Sequence, residues 1–327
     1  MSSDPFPLTD AQVQGTLASI AYAGDTLNNA SPTLDQLHVA INKQLNMRPH
    51  YATGMNWKLA WGPVEAKKYH NLIYAAYDVS TATLAISIRG TTSQAWSRFE
   101  DVPYYRSAFP DPNGSAKVSG PFLKGLTTAL SVADKWQNQT FAAFYTAFTQ
   151  HAEVKQVVVN GHSQGAALVP LMMLALQRGL IGAPKVDVPV SGFAYAPPTT
   201  GNADFAKIVD TDCDCWFIIN PKDVVPLGYH SMMDVIDKGI PEELHGLERA
   251  SVKLLIEGLE QFIDIDHWAQ PSRQAILEGV TILGEGLFAQ IDDQHNHNAY
   301  LAKLGAPGTD VGDPSYFEVS DPPVVTT

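Results

Sequence analysis

The chain has 327 residues, 45% of them hydrophobic and 17% charged, with a formal net charge of −13 at pH 7. This composition supports a sizeable core and speaks against global disorder. The acidic balance argues against nucleic acid and against electrostatic capture by an anionic membrane, but not against hydrophobic adsorption to lipid.

The N-terminal MSSDPFPLTD carries neither a basic region nor an apolar core of signal-peptide type, and no apolar stretch is long enough to span a bilayer. The expected setting is cytoplasmic, with a secreted mature form or non-classical export as the alternative. Residues 9–48 read as helical. Thr9 stands as N-cap, apolar residues recur at Val13, Leu17 and Ile20, and Ser31-Pro32 marks a break. Residues 50–67 read as irregular surface. Two strands follow, 71–79 and 82–90, as a hairpin or adjacent pair.

The second of these strands ends in Arg89-Gly90-Thr91-Thr92-Ser93. This is either a polar loop after a strand or an oxyanion loop in which Thr91 offers its N–H to a developing negative charge. The aromatics beyond it, Trp96, Phe99, Tyr104, Tyr105 and Phe109, read either as core or as a lid over an acyl groove. Residues 120–150 read as mainly helical.

The stretch 154–178 organises the chain. The run Val157-Val158-Val159 reads as a buried parallel strand, and the long apolar run after Gly165 as a buried helix. Between them stands Gly161-His162-Ser163-Gln164-Gly165. A serine on so tight a strand-to-helix turn is backbone-strained, and flanking glycines let helix and strand approach without a Cβ clash. The Gln164 N–H lies at the helix N-terminus, where a negative oxygen is stabilised. This arrangement resembles the nucleophile elbow of the α/β-hydrolases, and the expected fold class is α/β, a mostly parallel sheet flanked by helices.

Strands at 188–196 and 215–220 follow, separated by a short helix near Phe205. Cys213 and Cys215, with only Asp214 between them, form no disulfide framework and read as small buried residues rather than a metal pair. Residues 231–290 read as a helical insertion before the histidine segment, and 306–327 as a loosely ordered tail. The whole of 1–327 is expected to be a single domain, with 1–50 its N-terminal helical segment.

An elbow serine needs a base, and the base an orienting acid, in the chain order serine, acid, histidine. Asp223 stands in the turn just after a strand, ahead of Pro226, where such an acid belongs. His295 and His297 lie on the loop entering the C-terminal helix. His162, beside the serine, reads as a packing or pocket-lining residue. A metal site from Asp264, Asp266, His267, Asp292, Asp293, His295 and His297 matches no compact ligand motif.

The segments ISIRGTTSQAW, GPFLKG, VVVNGHSQGAAL, SGFAYAPPTTGNADF, INPKDVVP and HNHNAYL resemble, in this order, those of the class 3 (fungal-type) lipases. The resemblance covers roughly 70–230 and the last histidine segment. It implies carboxyl-ester hydrolysis, with acylglycerols as the leading substrate and phospholipase A1 or short-chain esterase activity, or a non-catalytic lipid-binding protein, as rivals. It implies nucleophile Ser163, acid Asp223 and oxyanion donors Thr91 and Gln164. The base is read as His295, on the Tyr300-Leu301 match and on Asn296 as a helix cap, with His297 the alternative. The chain departs from the family at Val118-Ser119-Gly120-Pro121-Phe122, where a histidine is customary, and in its long 231–290 insertion. No metal or organic cofactor is expected. The expected partner is a lipid or other ester, reached at a lipid–water interface.

Overall fold

Alternation along one valine-rich strand divides the molecule into two layers of helices around a sheet. The computed structural model describes residues 5–23, 32–46, 50–69, 71–90, 105–110, 114–227, 268–277 and 293–308. In chain order these contain α1 (Leu8–Ile20), α2 (Leu34–Asn46), β1 (Trp57–Ala66), β2 (Asn71–Asp78), β3 (Thr83–Arg89), β4 (Arg106–Ala108) and β5 (Lys117–Ser119). Then come α3 (Gly120–Ser131), α4 (Phe141–Phe148), β6 (Gln156–His162), α5 (Gln164–Arg178), β7 (Val190–Tyr195), β8 (Gly201–Asn202), α6 (Ala203–Asp212) and β9 (Asp214–Ile219). The last are β10 (Trp268–Ala269), β11 (Gln274–Ile276) and α7, spanning His297–Lys303.

Among the described residues the main sheet runs β1-β2-β3-β6-β7-β9-β11. β1, β2 and β3 are antiparallel neighbours, and every pairing from β3 to β11 is parallel. A smaller sheet has the order β10-β8-β5-β4.

Because successive side chains of β6 face opposite ways, Val157 and Val159 join a core with α3, α4, α5 and α6, including Phe122, Phe141 and Phe205. Val158 joins Ala11, Ala18, Tyr300 and Leu304 on the other side. α5 is buried from Gln164 to Leu176, so its apolar residues have no solvent face. At about 1.5–3 kcal/mol for each large side chain fully buried, α5 anchors the elbow that precedes it. This is the α/β-hydrolase fold.

Several expectations need correction. The first helix begins at Leu8 after Pro7, with no side-chain cap, so Thr9 is helical rather than capping. Residues 57–66, read as irregular surface, form a ten-residue edge strand. Trp57, Trp61, Val64 and Ala66 are buried, and Gly62-Pro63 lies where the pairing slips, so the dipeptide is absorbed by an irregular edge.

Most of 231–290, the expected helical insertion, lies outside the described residues. The part that is described, 268–277, is not helical. Trp268–Ala269 pairs with β8, and Gln274–Ile276 adds a parallel strand beside β9. Pro271 interrupts the helical pattern, and β9 offers an open edge: Phe217 N donates to Arg273 O at 3.0 Å and Leu277 N to Ile219 O at 2.8 Å. Of the aromatics read as core or lid, Trp96, Phe99 and Tyr104 lie outside the described residues. Phe109 is core, edge-on to Phe205, whereas Tyr105 is 45% exposed.

Candidate active site

Ser163 sits between β6 and α5 with φ 60° and ψ −131°. A non-glycine residue at such a φ is strained, and the surroundings hold it there. Ser163 N donates to Tyr195 O at 2.9 Å, and Ser163 O accepts from Ala166 N at 2.9 Å. A Cβ at Gly161 would lie 2.6 Å from Gly165 O, and one at Gly165 would lie 2.2 Å from Ile88 O. Both glycines are therefore required by backbone contact. Gly90, at the end of β3, is crowded in the same way: its Cβ would meet Gln164 N at 2.8 Å. β3 thus delivers the chain leading to Thr91 directly against the Gln164 N–H. Thr91 itself lies outside the described residues.

Asp223 is 1% exposed in the turn after β9. Its N–H donates to Asn220 O at 2.9 Å, and its Oδ1 accepts the Val225 N–H at 2.9 Å. His295 bridges from this acid to the elbow, with Nδ1 at 2.8 Å from Asp223 Oδ2 and Nε2 at 2.8 Å from Ser163 Oγ. The carboxylate only accepts, so Nδ1 carries the hydrogen. Nε2 then presents a lone pair to the serine hydroxyl. Asn296, the N-cap of α7, accepts from Asn298 N at 2.8 Å and so fixes the turn that presents His295.

The structure sets His295, and not His297, between Ser163 and Asp223. His297 instead stacks on Tyr22, with ring centroids 4.7 Å apart. Burial pushes its pKa down to about 4. His162 turns away from the serine: its Nδ1 faces the Tyr22 hydroxyl at 3.0 Å, and its Nε2 faces the His295 carbonyl at 2.8 Å.

Sequence reasoning missed four residues. The Tyr300 hydroxyl donates to Asp223 Oδ2 at 2.7 Å and accepts from Asn220 N at 3.1 Å. Burial, and next the Asp223 charge, hold the Tyr300 pKa well above 10, so the hydroxyl remains a donor. Asn220 Nδ2 donates to Gln294 O at 2.9 Å and Gln294 Oε1 at 2.8 Å, tying the acid turn to the residue before the histidine. Tyr300 was visible in the Tyr300-Leu301 pair, where it served only to set register. Asn220 was visible in the INPKDVVP segment but was given no role there, and Tyr22 and Gln294 carried no local signal.

Among the described residues no group of three or more His, Cys, Asp or Glu is arranged to hold a metal ion. Asp264, Asp266, His267 and Asp292 lie outside the described residues. Cys213 and Cys215 are free and buried, and burial pushes the Cys213 thiol up to about 12. A cavity of about 300 Å³ lined by Asp10, Phe193, Trp216 and Arg273 contains none of the sequence-predicted site residues.

Residues 85–230 match the family model described as lipase (class 3). A secreted mono- and diacylglycerol lipase of Malassezia restricta is 27% identical over 147 residues, 44% of this chain and 46% of that protein. The chain thus spans about half the length of the curated relatives it matches. Among solved structures, M37 lipase superposes with a TM-score of 0.77 at 21% identity, covering 90% of this chain and 92% of the other. A mutant form of MDLA from Penicillium cyclopium gives a TM-score of 0.55 at 16% identity, covering 93% and 100%. At these identities the structural likeness establishes the fold, while the sequence match marks the segment from β3 to just beyond the acid turn. Residues 85–230 are therefore similar to the class 3 lipases, and the chain carries an α/β-hydrolase fold.

Proposed function

We propose that the protein is a serine carboxyl-ester hydrolase, a lipase that cleaves acylglycerol esters through an acyl-enzyme. The observation that carries this reading is the unbroken path from Asp223 through His295 to Ser163, with both hydrogen bonds at 2.8 Å. His295 Nε2 takes the hydroxyl proton as Ser163 Oγ attacks the ester carbonyl. Asp223 holds the tautomer and stabilises the imidazolium that forms. The N–H of Gln164, at the start of α5, and that of Thr91 receive the oxyanion. The imidazolium returns the proton to the departing alcohol. His295 then activates water, which attacks the acyl-enzyme and releases the fatty acid and free Ser163.

The mono- and diacylglycerol lipase among the relatives supports acylglycerols as the substrate class. Its description as secreted favours export over the cytoplasmic setting, and among the described residues no helix is long and apolar enough to cross a membrane. With a net charge of −13, adsorption to a lipid surface relies on apolar contact rather than charge.

The test is initial rate on p-nitrophenyl esters from C2 to C16, and on mono-, di- and triacylglycerols, for wild type beside Ser163→Ala. Activity peaking at medium or long chains, and lower in the variant by about 10⁵–10⁶ in kcat, is expected. A peak at C2–C4 replaces the lipase with a short-chain esterase. Wild-type turnover by Ser163→Ala overturns the mechanism.

A further inference from the structure

Tyr22 lies in the turn after α1, distant in sequence from every residue assigned to the reaction, and is 5% exposed. Its hydroxyl oxygen accepts the Gly90 N–H at 3.1 Å. Gly90 is the residue immediately before Thr91. The same hydroxyl lies 3.0 Å from His162 Nδ1 and 3.3 Å from His162 O. At its other nitrogen, His162 Nε2 is 2.8 Å from the backbone carbonyl of His295.

The hydrogens in this network have one consistent arrangement. A carbonyl oxygen only accepts, so His162 Nε2 carries a hydrogen and donates it to His295 O. Burial, followed by the neighbouring His295 and His297, holds the His162 pKa well below 6.5, so the ring is neutral. Nδ1 is therefore an acceptor, and the Tyr22 hydroxyl hydrogen points at it. The path runs in one direction, from Gly90 N–H to Tyr22 to His162 to His295.

We propose that Tyr22 and His162 are positioning residues that hold Gly90, at the end of β3, and the backbone of the base His295 in one register around Ser163. The proposal rests on the serine-hydrolase reading above. The two groups it joins come from segments about two hundred residues apart, and both must be within a fraction of an ångström of their working places when the oxyanion forms. A donor that acts on charge developed only in the transition state raises kcat and leaves ground-state binding nearly unchanged. Neither Tyr22 nor His162 touches the reacting atoms.

Tyr22→Phe is the primary test, because it removes one oxygen and keeps the ring that stacks on His297. Wild type, Tyr22→Phe, His162→Leu and His162→Gln are compared for kcat, KM, rate of labelling by a fluorophosphonate probe, and Tm. The glutamine amide reaches the position of His Nε2 and restores the donor to His295 O. Expected are a fall in kcat and labelling rate of about 10- to 100-fold for Tyr22→Phe and His162→Leu, KM within about twofold of wild type, and partial recovery in His162→Gln. An active wild type with kcat unchanged in Tyr22→Phe overturns the proposal. So does a kcat loss that merely follows a lowered Tm or is matched by a rise in KM. A wild type that neither turns over esters nor labels overturns the serine-hydrolase reading instead.

Discussion

Asp223 Oδ2 accepts two hydrogen bonds at once, from His295 Nδ1 at 2.8 Å and from the Tyr300 hydroxyl at 2.7 Å. The carboxylate is buried, so each donor stabilises a charge that water does not reach. A hydrogen bond to a charged partner contributes about 1.5–3 kcal/mol. Tyr300→Phe should lose about that much stability in a urea titration. It should also lower kcat by about three- to tenfold, because the carboxylate is freer to rotate away from His295. A variant with unchanged stability would show that solvent replaces the tyrosine.

Asp223→Asn keeps the shape of the acid turn and reverses its chemistry. An asparagine amide turned with its N–H toward His295 Nδ1 forces the ring hydrogen onto Nε2, where it faces Ser163 and cannot accept the hydroxyl proton. The expected loss is about 10⁴ in kcat with little change in KM, by analogy with the same substitution in other triads. A loss below about tenfold would remove Asp223 from its assigned role.

The two histidines beside His295, His162 and His297, contribute to the response to acid. Both have pKa values below 6.5 in the folded protein, about 4 for His297 and well below the ordinary value for His162. Between pH 6.5 and 4 the unfolded chain binds protons that the folded one refuses. Stability is therefore full above pH 6.5 and falls as pH drops through this window. At about 1.4 kcal/mol per pKa unit, His297 alone removes on the order of 3 kcal/mol by pH 4. Urea midpoints at pH 7, 6 and 5 should decrease in that order. His297→Phe, which keeps a ring against Tyr22, should show a shallower decline. Equal midpoints across the range would contradict the assignment of both rings as neutral.

Gly90 provides a test of the oxyanion geometry that leaves the acid and base alone. A Cβ there would lie 2.8 Å from Gln164 N and 2.9 Å from Ser163 Cβ, both at the elbow. Gly90→Ala should lower kcat by at least about tenfold through displacement of the donors, with a smaller effect on KM. Gly165→Ala, whose Cβ would lie 2.2 Å from Ile88 O, should instead fail to fold stably, because backbone cannot yield there. Retention of full activity by Gly90→Ala would argue that β3 does not set the donor position.

The elbow was legible because backbone sterics at Gly161, Ser163 and Gly165 dictate residue type within five positions. Asp223 was legible because it follows a strand in a turn. The choice between His295 and His297 was half legible: the cap at Asn296 pointed to His295, but only the fold shows which ring reaches Ser163. The contacts of Tyr22, and of Asn220 with Gln294, were invisible because the partners lie 68, 74 and 140 residues away, and no local pattern encodes such a meeting. β1 was lost for the opposite reason. Local pattern read 50–67 as irregular surface, and tertiary packing of Trp57, Trp61 and Val64 makes 57–66 a strand.

The clamp from Asn220 to Gln294 couples two distant segments of the chain. Asn220 Nδ2 holds Gln294 through two hydrogen bonds at 2.9 and 2.8 Å. The backbone just before Asp223 and the residue just before His295 are thus fastened to each other by one amide group. A side-chain truncation at Asn220 therefore loosens both segments at once, and its effect reaches Asp223 and His295 together rather than one at a time.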